Sequence, residues 1–305
     1  MGAADVVPGV SGGTIAFISG IYQELIDSIN KIDLKTILSV RKNGIKATWA
    51  ALNGNFLLAL ISGIFISILT FSKVITFLLD NHPILVWSFF FGLVLASILL
   101  IWKQITHWKY YSLFALLLGT FVSYYITIAK PVASPDSLPY LFLSGFVAII
   151  AMILPGVSGA FILLLMGSYQ TVIGTINQFR EGIASFNMEI LGQAMIKLMT
   201  FAVGAILGLK LFSKILHWMF AHHKNTTLAV LIGFMIGSLN KIWPWKQVLE
   251  TRLNSHGEVV PFLEKSILPQ HFEENPQIIG AIVMVLFGFI LIVGLEKIAA
   301  KLGKN

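Results

Sequence analysis

The residues best suited to chemistry in this sequence belong to a short phrase that occurs twice. Its copies are Pro8, Gly9, Val10, Ser11, Gly12, Gly13 and Thr14 in the first half and Pro155, Gly156, Val157, Ser158, Gly159 and Ala160 in the second. Proline and clustered glycines end a helix, and the first N–H groups of the helix that follows have no partner inside it. These amides carry the positive end of the helix dipole, and the serine adds a hydroxyl donor. Each copy therefore predicts a binding site for an anion such as a phosphate or a carboxylate.

The alternative interpretation of the phrase is close helix packing, because small residues let membrane helices approach one another. Packing explains the glycines, but it does not explain a proline and a serine at matched places. Irregular backbone at membrane depth is tolerated only where it is buried in protein or lines a hydrated cavity. We therefore favour a binding site, in which the two copies face each other and form one polar pocket.

The composition indicates which elements must position these residues. Hydrophobic residues make up 56% of the chain and charged residues only 11%, far from the composition of a soluble domain. A membrane-spanning helix needs ~20 mostly apolar residues. Such stretches occur at 50–71, 84–101, 111–129, 227–242 and 277–296, and a glycine-rich sixth at 197–213 is bracketed by lysines. We therefore predict an all-α polytopic membrane protein.

Composition and spacing also exclude several classes of site and partner. The chain has no cysteine, which excludes disulfides and cysteine-ligated metals. Its histidines do not have the spacing of a metal motif and no phosphate-binding loop of the ATPase type occurs, so we expect no metal and no cofactor. The net charge of +7 comes from basic residues between the apolar stretches. The positive-inside rule accounts for these residues, so we expect no nucleic-acid partner.

The two halves of the chain resemble each other beyond the repeated phrase. Each copy is followed by Gly-x-Tyr-Gln, and Phe-Ser-Lys occurs at 71–73 and again at 212–214. We therefore divide the chain into repeats 1–130 and 131–305, the second with a longer extracytoplasmic loop at 243–276. Each repeat is predicted to hold a broken hairpin followed by three crossings. The second hairpin arms, Gly12 to Tyr22 and Gly159 to Tyr169, cover roughly half of the ~30 Å hydrocarbon core, which predicts re-entrant hairpins.

Three crossings per repeat is an odd number, so the second repeat must be inverted relative to the first. The basic residues agree, because segment 31–46 after the first hairpin is rich in lysine and arginine and its counterpart after the second hairpin is not. The positive-inside rule places segment 31–46 and the C-terminus in the cytoplasm.

One asymmetry separates the two hairpins. An apolar arm from Leu141 to Leu154 precedes the second break, but only Met1 to Val7 precedes the first. We therefore expect that the natural protein begins before Met1, or that a neighbouring element replaces the missing arm.

A few polar side chains near the hairpins are candidates for coupling or gating. Asp5 is either a proton or cation carrier or a residue at the chain end in the interface. Glu24 is expected to pair in solvent with the basic segment. Asn53 either lines the pocket or satisfies Asn55 across helices. Tyr22 and Tyr169 end the short arms in both halves, where we expect interface anchoring, with gating as the alternative.

The residues from Gly2 to Thr14, together with Ile153 to Gly159, resemble the prokaryotic polyprenyl-phosphate transporter family. This resemblance spans nearly the whole chain. It implies a flippase in a bacterial or archaeal plasma (inner) membrane. Such a protein returns undecaprenyl phosphate, the lipid carrier of cell-wall synthesis, from the outer to the cytoplasmic leaflet as its halves rock. The expected partners are a polyprenyl phosphate and the lipid bilayer, with a homodimer as one candidate assembly.

Two other function classes compete with this interpretation. A membrane lipid-pyrophosphate phosphatase family has inverted halves and a Pro-Gly-x-Ser-Arg-Ser-Gly phrase, but Gly12 and Gly159 stand here in place of the arginine. Phosphoryl transfer needs a cation to stabilise the developing charge, so we expect no catalytic residues and no enzyme. The other competitor is a small-anion channel or exchanger, since helix ends also serve ions.

Overall fold

Helices form most of the protein. A computed structural model describes residues 1–2, 11–33, 36, 38–131, 135, 137–253 and 259–302. Its helices are, in chain order, α1 (Gly12–Ile18), α2 (Tyr22–Lys31), α3 (Val40–Ala51), α4 (Gly54–Asn81), α5 (Pro83–Trp102), α6 (Tyr110–Ile128), α7 (Leu138–Ile153), α8 (Gly159–Leu165), α9 (Tyr169–Ala184), α10 (Met188–His222), α11 (Lys224–Ser238) and α12 (Ile278–Leu302). Between α11 and α12 lie strands β1 (Lys246–Leu253) and β2 (Val259–Ser266) and a short 3₁₀ turn, Pro269–His271.

Several helices have the length and composition of membrane spans. Within the described residues, four helices are long and apolar enough to cross a bilayer, namely α4, α5, α6 and α10. The helices α8 and α9 qualify only as a pair, and they are bent by 108° at the break between them. The apolar helices α7 and α12 are shorter. This is the architecture of a multi-pass membrane protein.

The predicted spans differ from the structure in two places. The stretch 197–213 lies inside the 35-residue helix α10, so the lysines that bracket it do not end the helix. The span expected at 227–242 is the 15-residue helix α11, which ends at Ser238 and begins with polar residues. At ~1.5 Å per residue, α11 is only about 22 Å long. Most of its apolar side chains are buried inside the bundle, where a helix does not need full span length.

The expectation of an all-α chain is wrong for the loop at 243–276. There β1 and β2 pair antiparallel, with Lys246 opposite Ser266 and Val248 opposite Glu264. Strands form here because the stretch is no longer a continuous apolar run and carries β-branched residues, which favour extended backbone. The hairpin lies beside the end of α11, which matters for the site.

Two helix pairs of the core each join the two halves of the sequence. The helix α5 packs against α12, and α6 packs against α11. Glycines permit this close approach, because Gly92 and Gly288 each face a backbone carbonyl across the first pair. Gly119 and Gly233 do the same across the second pair. The backbones of the two helices in each pair are therefore in close contact, as is typical of membrane-helix interfaces with small residues.

Corresponding parts of the two halves have the same local geometry. The helices that follow the two breaks, α1 and α8, both have seven residues. The junctions between α4 and α5 and between α10 and α11 are histidines with nearly equal backbone angles. These are φ −138° and ψ 49° at His82, and φ −136° and ψ 46° at His223. Local sequence similarity thus produces similar backbone at these points.

The surroundings of corresponding residues nevertheless differ. Gly204 in α10 is buried, and its Cα lies against the carbonyl of Phe142 in α7. Gly63, the matching residue in α4, is exposed, and a Cβ there would have nothing within 4 Å. The same glycine is therefore a packing requirement in one half only.

Gly204→Ala is expected to lower the free energy of unfolding by about 1–3 kcal/mol, because the added methyl collides with the Phe142 carbonyl. Gly63→Ala is the matched control at the equivalent helix position, where the higher helix propensity of alanine adds up to about 1 kcal/mol. Thermal unfolding of the purified protein in detergent measures both changes. Equal melting temperatures for the two variants would contradict the packing difference.

Candidate functional site

The two copies of the repeated phrase meet in the structure. The Gly156 amide donates a hydrogen bond to Thr14 Oγ1 over 2.8 Å. Ser11 Oγ donates to the carbonyl of Met152, just before the second break, over 3.0 Å. Ser11 and Thr14 are buried, with 2% and 1% of their surfaces exposed. Four predicted site residues lie outside the described residues: Asp5, Pro8, Gly9 and Val10.

The glycines of the phrase bring the two backbones into contact. A Cβ on Gly13 would lie 2.6 Å from the Ile153 carbonyl oxygen. Gly156 has φ +87°, a left-handed conformation that favours glycine, and a Cβ there would lie 2.5 Å from Ser238 Oγ. Close packing, the alternative interpretation of the glycines, is therefore part of their role.

The two serines cap the helices that follow the breaks, but they are not equivalent. Ser11 Oγ accepts a hydrogen bond from the Gly13 amide at 3.1 Å, and Ser158 Oγ accepts from the Phe161 amide at 3.4 Å. Ser11 Oγ also donates a hydrogen bond to the Met152 carbonyl, whereas Ser158 Oγ donates to no acceptor among the described residues. Several donors that the sequence offered to an anion are thus bonded within the protein. The Ser158 hydroxyl is one of the donors that the described contacts leave for a ligand, together with the first amides of α8.

A small pocket lies around Ser158. Gly156 and Ser158 line it from the second phrase and Phe161 lines it from α8. Thr127 lines it from α6, and Lys241 lines it from the segment after α11. The Lys241 ammonium lies over the Phe161 ring, 4.6 Å from the ring centre. The pocket has room for about one water molecule. It therefore combines a hydroxyl donor with a cation, and it is nearly closed.

The sequence does not single out Lys241 as a site residue, because it is one of several lysines near the ends of apolar stretches. The only signal in the sequence is a single cation that follows an apolar stretch, which snorkelling explains equally well. Lys241 is a site residue because the chain turns after Ser238 and brings this lysine to the Ser158 pocket.

Glu264 on β2 joins Lys241 to a second lysine. Its Oε2 lies 3.1 Å from Lys241 Nζ and 3.6 Å from Lys246 Nζ. The Lys246 ammonium also lies 4.1 Å from the centre of the Trp87 ring. Burial lowers the pKa of Lys246 to about 8, although the Glu264 carboxylate acts in the opposite direction. Burial alone would raise the pKa of Glu264, but the two ammonium groups outweigh it and the pKa is lowered.

The polar candidates of the first half meet at the start of α4. Asn53, at φ 55°, donates from Nδ2 to Glu24 Oε1 over 2.9 Å and to Ser28 Oγ over 3.1 Å. Asn55 instead accepts from Trp49 Nε1 at 2.8 Å. The prediction that Asn53 and Asn55 satisfy each other is wrong, because the left-handed turn at Asn53 points the two side chains to different neighbours. Among the described residues, the partner of Glu24 is this asparagine rather than a lysine or arginine of the basic segment.

Tyr22 lies in the core and is not an interface anchor. Only 2% of its surface is exposed, and its ring packs edge-on against Phe17 and Phe220, with ring centres 5.1 and 6.2 Å away. The prediction failed because Gly20, at φ +76°, reverses the chain and turns Tyr22 into the bundle. Tyr169 is half-buried, and its gating or anchoring role stays a prediction.

Histidine and carboxylate side chains meet at His217 and Asp27, where Nδ1 lies 2.6 Å from Oδ1. One such pair is too few ligands for a metal ion. Among the residues that the structure describes, no three histidine, aspartate or glutamate side chains gather as a metal site.

Comparison with known proteins places the chain in a family. A family model described as undecaprenyl phosphate translocase-like matches residues 1–260. The chain belongs to the undecaprenyl phosphate translocase-like family. It is 44% identical over 305 residues to a protein of Vibrio cholerae serotype O1 named polyprenyl-phosphate transporter, covering 99% of this chain and 94% of that protein. A Staphylococcus aureus protein of the same name is 30% identical over 258 residues, covering 80% of this chain and 83% of that protein. No solved structure matches the chain.

In this translocase-like protein, Thr14→Val is expected to weaken the contact between the two phrases. The variant keeps the shape of the side chain but leaves the Gly156 amide without its acceptor, which costs about 1–3 kcal/mol. Thermal unfolding in detergent measures the loss, and Thr14→Ser should recover most of it. Thr70→Val is the control, because the Thr70 hydroxyl bonds only carbonyls of its own helix. A loss of the same size in Thr70→Val would contradict a special role for Thr14.

Raising the pH is expected to relieve the cost of burying the Lys246 charge. The pKa of this lysine is about 8 in the folded protein and 10.5 ordinarily, so between these values the unfolded chain binds more protons. The contribution of Lys246 to the unfolding free energy therefore rises with pH, by up to about 3 kcal/mol. Melting temperatures of the wild type and of Lys246→Met at about pH 7.5 and about pH 10 test this. The wild type should gain relative to Lys246→Met, whereas Lys265→Met, which removes an exposed lysine, should follow the wild type.

Proposed function

We propose that the protein is a flippase that returns undecaprenyl phosphate, or a related polyprenyl phosphate, from the outer to the cytoplasmic leaflet. The observation that carries the proposal is the hydrogen bond between Gly156 and Thr14, which joins the two broken-helix phrases at one place. The names of the two relatives support the substrate class. The basic segment 31–46 supports a cytoplasmic first loop. The direction of transport is what the family resemblance implies.

The head group is the part of the substrate that needs the protein. A phosphate monoester carries a charge of about −1.5 to −2, and moving it into apolar surroundings is costly unless donors replace its water. The Ser158 hydroxyl and the Lys241 ammonium are two such donors in one pocket. The polyprenyl tail is apolar and can stay in the bilayer, so the protein need enclose only the head group.

We further propose that the repeats 1–130 and 131–305 are inverted and that the hairpins are re-entrant. The 108° bend between α8 and α9 supports this topology, as do the equal lengths of α1 and α8. Inverted repeats with broken helices near the midplane are the usual basis of alternating access.

The glycine contacts suggest which parts move. Because α5 pairs with α12 and α6 pairs with α11, the two sequence halves interlock and cannot separate as simple rigid bodies. We therefore propose that each glycine-packed pair moves as a unit. The nearly closed pocket beside Ser158 must open during this movement to admit a phosphate.

Two carboxylates are candidates for coupling transport to a second ion. The Glu24 carboxylate is exposed and bonded to Asn53, so a proton on it would weaken that contact. Asp5 remains a candidate proton or cation carrier on the basis of the sequence alone. Both assignments stay predictions.

The test is leaflet exchange of undecaprenyl phosphate in liposomes that contain the purified full chain. The wild type should speed this exchange, and Ser158→Ala should slow it about tenfold through loss of one hydrogen bond to a charged group. Ser185→Ala is the control, because the Ser185 hydroxyl lies outside the pocket and bonds the carbonyl of its own helix.

Two outcomes would replace the proposal. Release of phosphate from a polyprenyl pyrophosphate by the purified protein would favour the phosphatase. Anion flux in liposomes free of lipid phosphate would favour the channel or exchanger. Exchange that is equally fast in Ser158→Ala and in the wild type would remove the Ser158 pocket from the mechanism.

A further inference from the structure

The β1–β2 hairpin places a carboxylate on the cation of the Ser158 pocket. We propose that Lys241 binds the phosphate of the substrate and that Glu264 occupies Lys241 between substrates, so that the hairpin is a gate opened by lipid phosphate. This inference rests on the proposed function, because it assigns the cation and the regulation of the same site.

The position of Lys241 favours a role in the pocket over an exposed ion pair. Only 15% of its side chain is exposed, and its ammonium lies over the Phe161 ring. The Phe161 amide in turn bonds Ser158 Oγ, so Lys241 and Ser158 approach the same space from two elements. The site rests on this full charge, because the seven-residue helix α8 is too short for its end to hold a phosphate alone.

Glu264 is a suitable substitute for the phosphate. Its carboxylate oxygen accepts from Lys241 at 3.1 Å, as a phosphate oxygen would, and 22% of its side chain is exposed. When a phosphate binds Lys241 in place of Glu264, the Glu264 carboxylate keeps its second contact, with Lys246 Nζ at 3.6 Å. The exchange therefore leaves no carboxylate without a counter-ion. A phosphate has more charge and more acceptor oxygens than a carboxylate, which favours the exchange only when the lipid is present.

Among its described residues, the hairpin has few other attachments to the bundle. One is the Lys246 ammonium of β1, which lies over the Trp87 ring of α5. Near its base, Ser266 Oγ donates to the Asn240 carbonyl at 3.1 Å, and Trp243 Nε1 donates to the Ile267 carbonyl at 2.8 Å. An isolated two-stranded hairpin is only marginally stable. A register shift in β1 between Val248 and Glu250 lies opposite Glu264, and such bulges re-aim a neighbouring side chain. Lys246 belongs to the hairpin itself, so the contact of Glu264 with Lys241 is the ion pair that joins this part of the hairpin to the bundle.

The first experiment measures binding of undecaprenyl phosphate to the full chain in nanodiscs. Lys241→Gln should weaken binding about tenfold, and Glu264→Gln should tighten it about tenfold, since each changes one charge-assisted hydrogen bond. Lys241→Arg keeps the charge and should bind within about threefold of the wild type. The double variant Lys241→Gln, Glu264→Gln should bind as weakly as Lys241→Gln alone, because Glu264 acts only by occupying Lys241.

The hairpin itself supplies matched controls. Lys265→Gln and Glu250→Gln make the same charge changes at exposed positions of the two strands, and both should bind like the wild type. Hydrogen exchange of the backbone amides measures how often the gate opens. The amides of β2 should exchange faster when undecaprenyl phosphate is added to the wild type, and equally fast without it in Glu264→Gln.

The outcomes separate this inference from the proposed function. If the wild type binds and moves undecaprenyl phosphate but Glu264→Gln behaves like Glu250→Gln, the gate is wrong and the transporter stands. If Lys241→Arg loses binding as fully as Lys241→Gln, the charge is not what binds the phosphate and the inference is wrong. If the wild type neither binds nor moves the lipid, the proposed function fails and this inference fails with it.

Discussion

The hydrogen bond from the Gly156 amide to Thr14 Oγ1 joins α1 to the interruption between α7 and α8 inside a bundle of apolar helices. Interrupted backbone has unpaired polar groups, and these are costly in apolar surroundings unless another part of the protein bonds them. The two regions satisfy each other's polar groups. Thr14 Oγ1 accepts from the Gly156 amide of the second break, and the Met152 carbonyl before that break accepts from Ser11 Oγ. The two breaks are therefore stable only as a pair, and the pocket around Ser158 depends on that pairing.

Charge in this protein is concentrated where the bundle meets the hairpin. Lys241, Lys246 and Glu264 form a group with one net positive charge, largely removed from solvent. The Glu264 carboxylate lies between the two ammonium groups and attracts both. This attraction lowers the free-energy cost of burying all three charges. A group with one excess positive charge beside a hydroxyl donor is suited to a phosphate. The depressed pKa of Lys246 indicates that the cost of burial is only partly offset.

Glycine contacts set the boundary between rigid and movable parts. The pairs α5–α12 and α6–α11 are held by backbone packing that tolerates no added atom. The hairpin is held instead by side chains, and the pocket lies between these two kinds of structure. Opening at the side-chain contacts costs less than separating the packed backbones, because few buried apolar contacts are lost.

The sequence by itself determined the local features. The breaks, the helix starts at Gly12 and Gly159, and the long apolar helices near 50–71, 84–101 and 111–129 follow from proline, glycine and apolar composition, which act over a few residues. Tertiary structure decided the burial of Tyr22, the partner of Asn53, the hairpin in loop 243–276, and the meeting of Lys241 with Glu264 beside Ser158. These contacts join residues far apart in the chain. No local pattern encodes them, because packing of the whole bundle fixes which faces and loops come together.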